Sequence, residues 1–167
     1  MNTRKATQAL LIITILAAYS CSTPYSISAG NPKMLSAWTV TSIQTDGEIA
    51  GLDIPAPVFD DATINCLSTS NWSLSDGGTG TYYIKGADVA CTAGVRKISW
   101  QIINLSKTAH YFQFFRFMAP KGILADRFTT YIMQIAYLGK TTMVLKYPVK
   151  YHDKIGSLVF TFAKGKG

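Results

Sequence analysis

RKISWQIIN at residues 96–104 and YFQFFRF at residues 111–117 decide the fold. In the first, Ile98, Trp100 and Ile102 alternate with Lys97, Ser99 and Gln101. A period of two belongs to a strand with one buried face. The second is apolar on both faces, with Phe112 and Phe114 on one side and Tyr111, Phe115 and Phe117 on the other. Such a strand suits a barrel wall whose inner side meets a lumen and whose outer side meets a cover or a partner. Which of the two sides points inward is left open by the pattern.

Working outward, eight segments carry strand signals, rich in β-branched and aromatic residues and bounded by Gly, Pro, Asp or Asn. They are Leu35–Thr45, Thr63–Leu74 (bent near Ser68–Ser70), Thr79–Lys85, Arg96–Asn104, Tyr111–Phe117, Phe128–Leu138, Thr142–Tyr147 and Ser157–Lys164. A long loop, Asp46–Asp61, separates the first two, and Asp76-Gly77-Gly78 and Gly139-Lys140 read as tight turns. No long helical period competes. The expectation is an all-β chain forming an eight-stranded antiparallel up-and-down barrel, in which the first strand pairs with the eighth and no edge is left open. An eight-stranded sandwich is the alternative.

The N-terminus reads as a leader. Arg4 and Lys5 precede the apolar run Ala9–Ala18, which is too short to cross a bilayer as a helix. Ala18-Tyr19-Ser20-Cys21 then resembles the lipoprotein signal box of bacteria, in the looser form of Bacteroidetes. The resemblance implies cleavage before Cys21, lipidation of its sulfur and amine, and, with Ser22 next, the outer membrane. Two or more acyl chains give a durable anchor. The organisation expected is a signal peptide over 1–20, a tether over 21–33 and a barrel over 34–167. Removing the leader leaves 147 residues, enough to bury ~70% of the unfolded surface.

Cys66 and Cys91 remain, and an even pair in an exported chain reads as a disulfide. The loop that it closes is worth ~3.5 kcal/mol in the chain-entropy treatment. There is no CxxC, and no His stands near either Cys, so redox and metal roles lack support.

Several order-and-spacing features resemble the lipocalin-like lipoproteins of Bacteroidetes. They are Leu35-Ser36-Ala37-Trp38, the long first loop, Cys66, Trp72-Ser73-Leu74 through Gly77-Gly78-Thr79-Gly80-Thr81-Tyr82, Cys91, Ile98-Ser99-Trp100, Tyr111-Phe112-Gln113-Phe114 and Phe160-Thr161-Phe162. The resemblance implies that Trp38 plugs the closed end of the barrel. Ser36 stands where lipocalins carry Gly, Leu138-Gly139-Lys140-Thr141 where they carry Thr-Asp-Tyr, and Lys164 is the cation nearest the place of their last-strand Arg.

Catalytic constellations are absent from the sequence. The chain has a single Glu, and its two His, His110 and His152, have no Ser or Cys in a nucleophile context. Gly139-Lys140-Thr141 lacks the first Gly of a phosphate loop, since Gln134 stands there. Asp46, Glu48 and Asp53, or Asp60-Asp61, match no metal or acid–base spacing. Net charge is +7, with bases scattered through the second half, including Arg96 and Arg116, and read as solvated surface. No enzyme activity, cofactor, metal or nucleic-acid partner is therefore expected, and the oligomeric state is left open. The 3 Trp, 9 Tyr and 8 Phe are the suggestive feature. Two functions are weighed. One is a lipid-anchored envelope barrel carrying a small apolar ligand against Trp100, Phe114, Tyr131 and Met133. The other is a packed barrel acting through its loops. A lumen of ~300 Å³ or more, open at one end, favours the first.

Overall fold

A computed structural model describes the backbone of residues 26–28, and residues 33–86, 91–117 and 129–165. The expected leader and Cys21 lie outside these. The strands are β1 (Ser26–Ser28), β2 (Ser36–Gly47), β3 (Asn71–Leu74), β4 (Thr79–Ile84), β5 (Gly94–Asn104), β6 (His110–Arg116), β7 (Thr130–Leu138), β8 (Thr142–Tyr151) and β9 (Lys154–Lys164). Strands β2 to β9 pair with their sequence neighbours, all antiparallel, and β2 pairs with β9 from Trp38↔Lys164 to Gly47↔Gly156. The result is the closed eight-stranded up-and-down barrel. No main edge is left to solvent.

The alternation seen in the sequence fixes the lumen. Trp100 lies opposite Phe114, and Phe114 opposite Tyr131. Ile102 lies opposite Phe112, and Phe112 opposite Met133. All six are buried. The inward side is therefore the Phe112–Phe114 side of β6, while Phe117, just past the strand, is half exposed. Across the ring, Val40 faces Phe162 and Ile43 faces Phe160. Thr41 is a bulge that keeps both in phase and donates its hydroxyl to Thr161 O.

Three segments differ from expectation. The second strand starts at Asn71; Ile64–Leu67 is instead one helical turn, α1. The reason is local. Ser68 Oγ donates to Asn65 O and Ser70 Oγ to Leu67 O, so side chains satisfy carbonyls that a ladder would otherwise need. The eighth barrel strand's partner, β8, runs past Pro148 to Tyr151. There β7 has already left it at Lys146, and a proline is tolerated where only one side is paired. Finally, the tether contributes β1, which pairs Ser26↔Asn104 and Ser28↔Ile102. It fills the edge of β5 beyond Ser99, the residue at which β4 pairing stops.

The two ends are built differently. The β3–β4, β5–β6 and β7–β8 turns and the start of β2 lie at one end, called here the closed end. Trp38 seals it, fully buried, with its indole N–H donated to Met34 O at 2.9 Å. The connections β2–β3, β4–β5, β6–β7 and β8–β9 lie at the other end, the mouth. The long first loop turns back over that mouth. Its first residues sit on Gly156, where a Cβ would collide with Asp46 O and with Ile49.

Candidate functional site: the plugged mouth

The first loop ends in a tight reversal. Val58 and Ala62 form an antiparallel bridge, and Asp61 N–H donates to Val58 O at 3.1 Å. Phe59 and Asp60 at its tip both have positive φ, 57° and 49°. A phenylalanine in that region costs of order 1–3 kcal/mol, and persists only where its surroundings insist.

Here they do. The Phe59 ring enters the barrel and is 1% exposed. It lies edge-on to Phe114 at 5.0 Å, Tyr147 at 5.0 Å, Tyr131 at 5.3 Å and Trp72 at 6.2 Å, and stacks on Phe160 at 5.6 Å. Beneath it Trp72 stacks on Tyr82 at 4.6 Å and meets the edges of Phe114 and Phe162. The upper lumen is thus filled by rings from six strands and one loop.

A polar clamp holds the plug. Asp61 accepts from Arg116 Nη1 at 2.7 Å, from Arg96 Nε at 3.0 Å and from the Tyr82 hydroxyl at 2.7 Å. Arg116 Nη2 donates to Asp60 O, and the Tyr131 hydroxyl donates to Phe59 O and Asp60 Oδ2. The ion-paired side chains are only 9–13% exposed. Arg116 Nε is buried without a hydrogen-bond partner. Burial, and then the Asp61 carboxylate, push the Tyr82 hydroxyl far up. Burial, and then the Asp60 charge, push Tyr131 up to about 12. Burial pushes Tyr147 up as well, with the Asp60 charge adding to it. All three stay protonated at neutral pH, and Tyr82 and Tyr131 donate to the clamp.

One expectation is corrected. Arg96 and Arg116 are not solvated surface; they point inward, because they continue the alternations Arg96-Ile98-Trp100-Ile102 and Phe112-Phe114-Arg116. That phase was the signal that would have found them. Asp60 and Asp61, which matched no acid–base spacing in the sequence, sit at the plug, where Asp61 spends its oxygens on the clamp. Phe59 had no helix or strand signal; it is one of several apolar residues in the loop, with Ile49, Leu52, Ile54 and Val58, and nothing in the sequence singled it out.

Sγ of Cys66 and of Cys91 are 2.05 Å apart, with Cα atoms at 5.4 Å. The pair joins α1, on the loop, to the segment entering β5. Trp100, Phe114, Tyr131 and Met133 all line the lumen, and what they touch there is one another's neighbourhood of rings; Phe114 lies 5.1 Å from Tyr131. Asp46 pairs with Lys146 and Glu48 accepts from Ile155 N–H, so the first-loop acids diverge. His110 contacts Asn104 Oδ1 at the closed end, whereas His152 lies in the β8–β9 turn. Among the described residues, no group of three His, Cys, Asp or Glu is placed to hold a metal. Comparison of the chain with protein-family models, with curated proteins and with solved structures returned no match.

Proposed function

We propose that the chain is an exported, lipocalin-like lipoprotein, anchored through Cys21 at the outer membrane, without enzymatic activity, whose upper lumen is filled by its own side chains and which acts through its loops. The observation that carries this reading is Phe59, a loop ring held in the lumen by the Asp61 clamp. A ligand in the upper lumen competes with a covalently attached aromatic, which needs no translational entropy to bind.

A second reading, carriage of a small apolar ligand, is favoured by one feature. The plug comes from a loop and not from the wall, so its withdrawal leaves a ring-sized space lined by Phe114, Tyr131 and Phe160. Native mass spectrometry of protein from its own envelope separates the two. The first expects the polypeptide from Cys21 plus acyl chains and nothing more. It also expects no change in Trp emission across a panel of apolar ligands, with a response appearing only in Phe59→Ala. A stoichiometric lipid on the wild-type chain, or an emission response from it, overturns the packed-barrel reading.

A further inference from the structure

The direction of β1 decides which end of the barrel faces the membrane. β1 runs antiparallel to β5, with Ser26 opposite Asn104 at the closed end and Ser28 opposite Ile102 further in. The chain before Ser26 therefore leaves from the closed end. Cys21 is five residues away, a reach of at most about 18 Å. An acyl anchor on Cys21 brings that end, and not the mouth, to the bilayer.

The closed end has the chemistry for that contact. Lys107, Lys140 and Lys164 are all exposed there, on the β5–β6 turn, the β7–β8 turn and the end of β9. Among the described residues of these turns and ends the acid is Asp76. At the mouth, by contrast, the exposed Lys85, Lys150 and Lys154 are offset by the exposed Glu48, Asp53, Asp60 and Asp153, and Asp61 is ion-paired with Arg96 and Arg116. Between the cations of the closed end stand two large apolar side chains, Leu105, 51% exposed, and Tyr137, 57% exposed. Beside them a cavity of about 590 Å³ opens where β7 bulges at Ala136. Lys33, Asn104 and His110 give it a polar side, and Ile102, Ile135 and Leu138 an apolar one.

We propose that this closed end is a docking face for an anionic lipid bilayer. The lysines meet lipid phosphates, Leu105 and Tyr137 enter the interface, and the cavity between β5, β6 and β7 takes a headgroup. Lysines near an anionic surface are drawn to it, and an aromatic with a polar tip suits the headgroup level. The mouth, with its plug and disulfide, then points away from the membrane. The inference rests on the anchor at Cys21, and its test separates the two.

The test uses the full chain purified from envelope membranes and placed in phosphatidylcholine–phosphatidylglycerol vesicles with brominated acyl chains. Trp reporters are introduced by Tyr137→Trp or Leu105→Trp at the closed end and by Ile155→Trp at the far end. The native Trp38, Trp72 and Trp100 are buried and give a common background. Quenching and a blue shift are expected at positions 137 and 105, with none at 155. In Lys107→Glu/Lys140→Glu the quenching at 137 is expected to be lost, and Lys107→Arg/Lys140→Arg should retain it. Equal quenching at 137 and 155, or indifference to the charge reversal, overturns the docking face. Intact mass decides the anchor separately. If no acyl mass is found, the anchor reading fails, and the same proteins mixed with preformed vesicles still judge the docking face by the same contrast.

Discussion

The two ends of the barrel are sealed by opposite means. At the closed end Trp38 meets Met34, four residues away, in a contact made within one short stretch of chain. At the mouth Phe59 and Asp61 reach Arg116, Tyr131 and Phe160 across separations of 55 residues or more, and the joint is as much ionic as apolar. An apolar seal fails only when the core around it fails. An ionic seal on a loop can fail alone, because the strands beneath keep their own ladder. The comparison teaches that global stability and mouth closure are separately encoded.

Three measurements sharpen or break that contrast. The largest effect is expected from Trp38→Ala, about 3–5 kcal/mol in urea unfolding, lost from the whole barrel in one transition. A loss confined to residues near β2 in hydrogen exchange contradicts the shared core. Next, Asp61→Ala leaves the Arg96 and Arg116 charges buried without a counter-charge, a defect of about 3 kcal/mol or more if the loop stays seated. The chain avoids part of that by releasing the loop. Amides of 58–62 should lose protection while those of β2 and β9 keep theirs; uniform loss across the barrel contradicts an independent seal. The smallest effect concerns alkaline pH. Tyr131 ionises near its ordinary value of 10 when unfolded but only near 12 when folded. Below 10 both states hold the proton and nothing is lost. Above it the unfolded state alone releases protons, so stability falls as pH rises from 10 towards 12. Tyr131→Phe should flatten that fall in Tm, at a cost near neutral pH of about 1 kcal/mol for the lost hydrogen bonds. An unchanged alkaline slope would contradict the burial of that hydroxyl.

Much of the wall was legible in the sequence because a half-buried strand repeats every two residues. Ile98-Trp100-Ile102 and Leu158-Phe160-Phe162 had to share a face, and they do. The same rule extended two residues further would have turned Arg96 and Arg116 inward; their charge argued for solvent, and a counter-charge 35 and 55 residues upstream reversed it. Thr63–Ser70 misled because serine hydroxyls there bond the local backbone, which no periodicity registers. β1 is three residues long and has no pattern to read. Phe59 belongs to the mouth only through contacts remote in sequence, and the clamp was hidden for the same reason.

The pairing of Trp38 with Lys164 also sets an order of events in the life of the chain. β9 is synthesised after the seven other strands of the ring, so β2 waits for it with one edge bare. Until then no partial product of synthesis can complete the ring. A polypeptide of this design stays threadable while it is being made, and commits to its shape only once β9 has emerged.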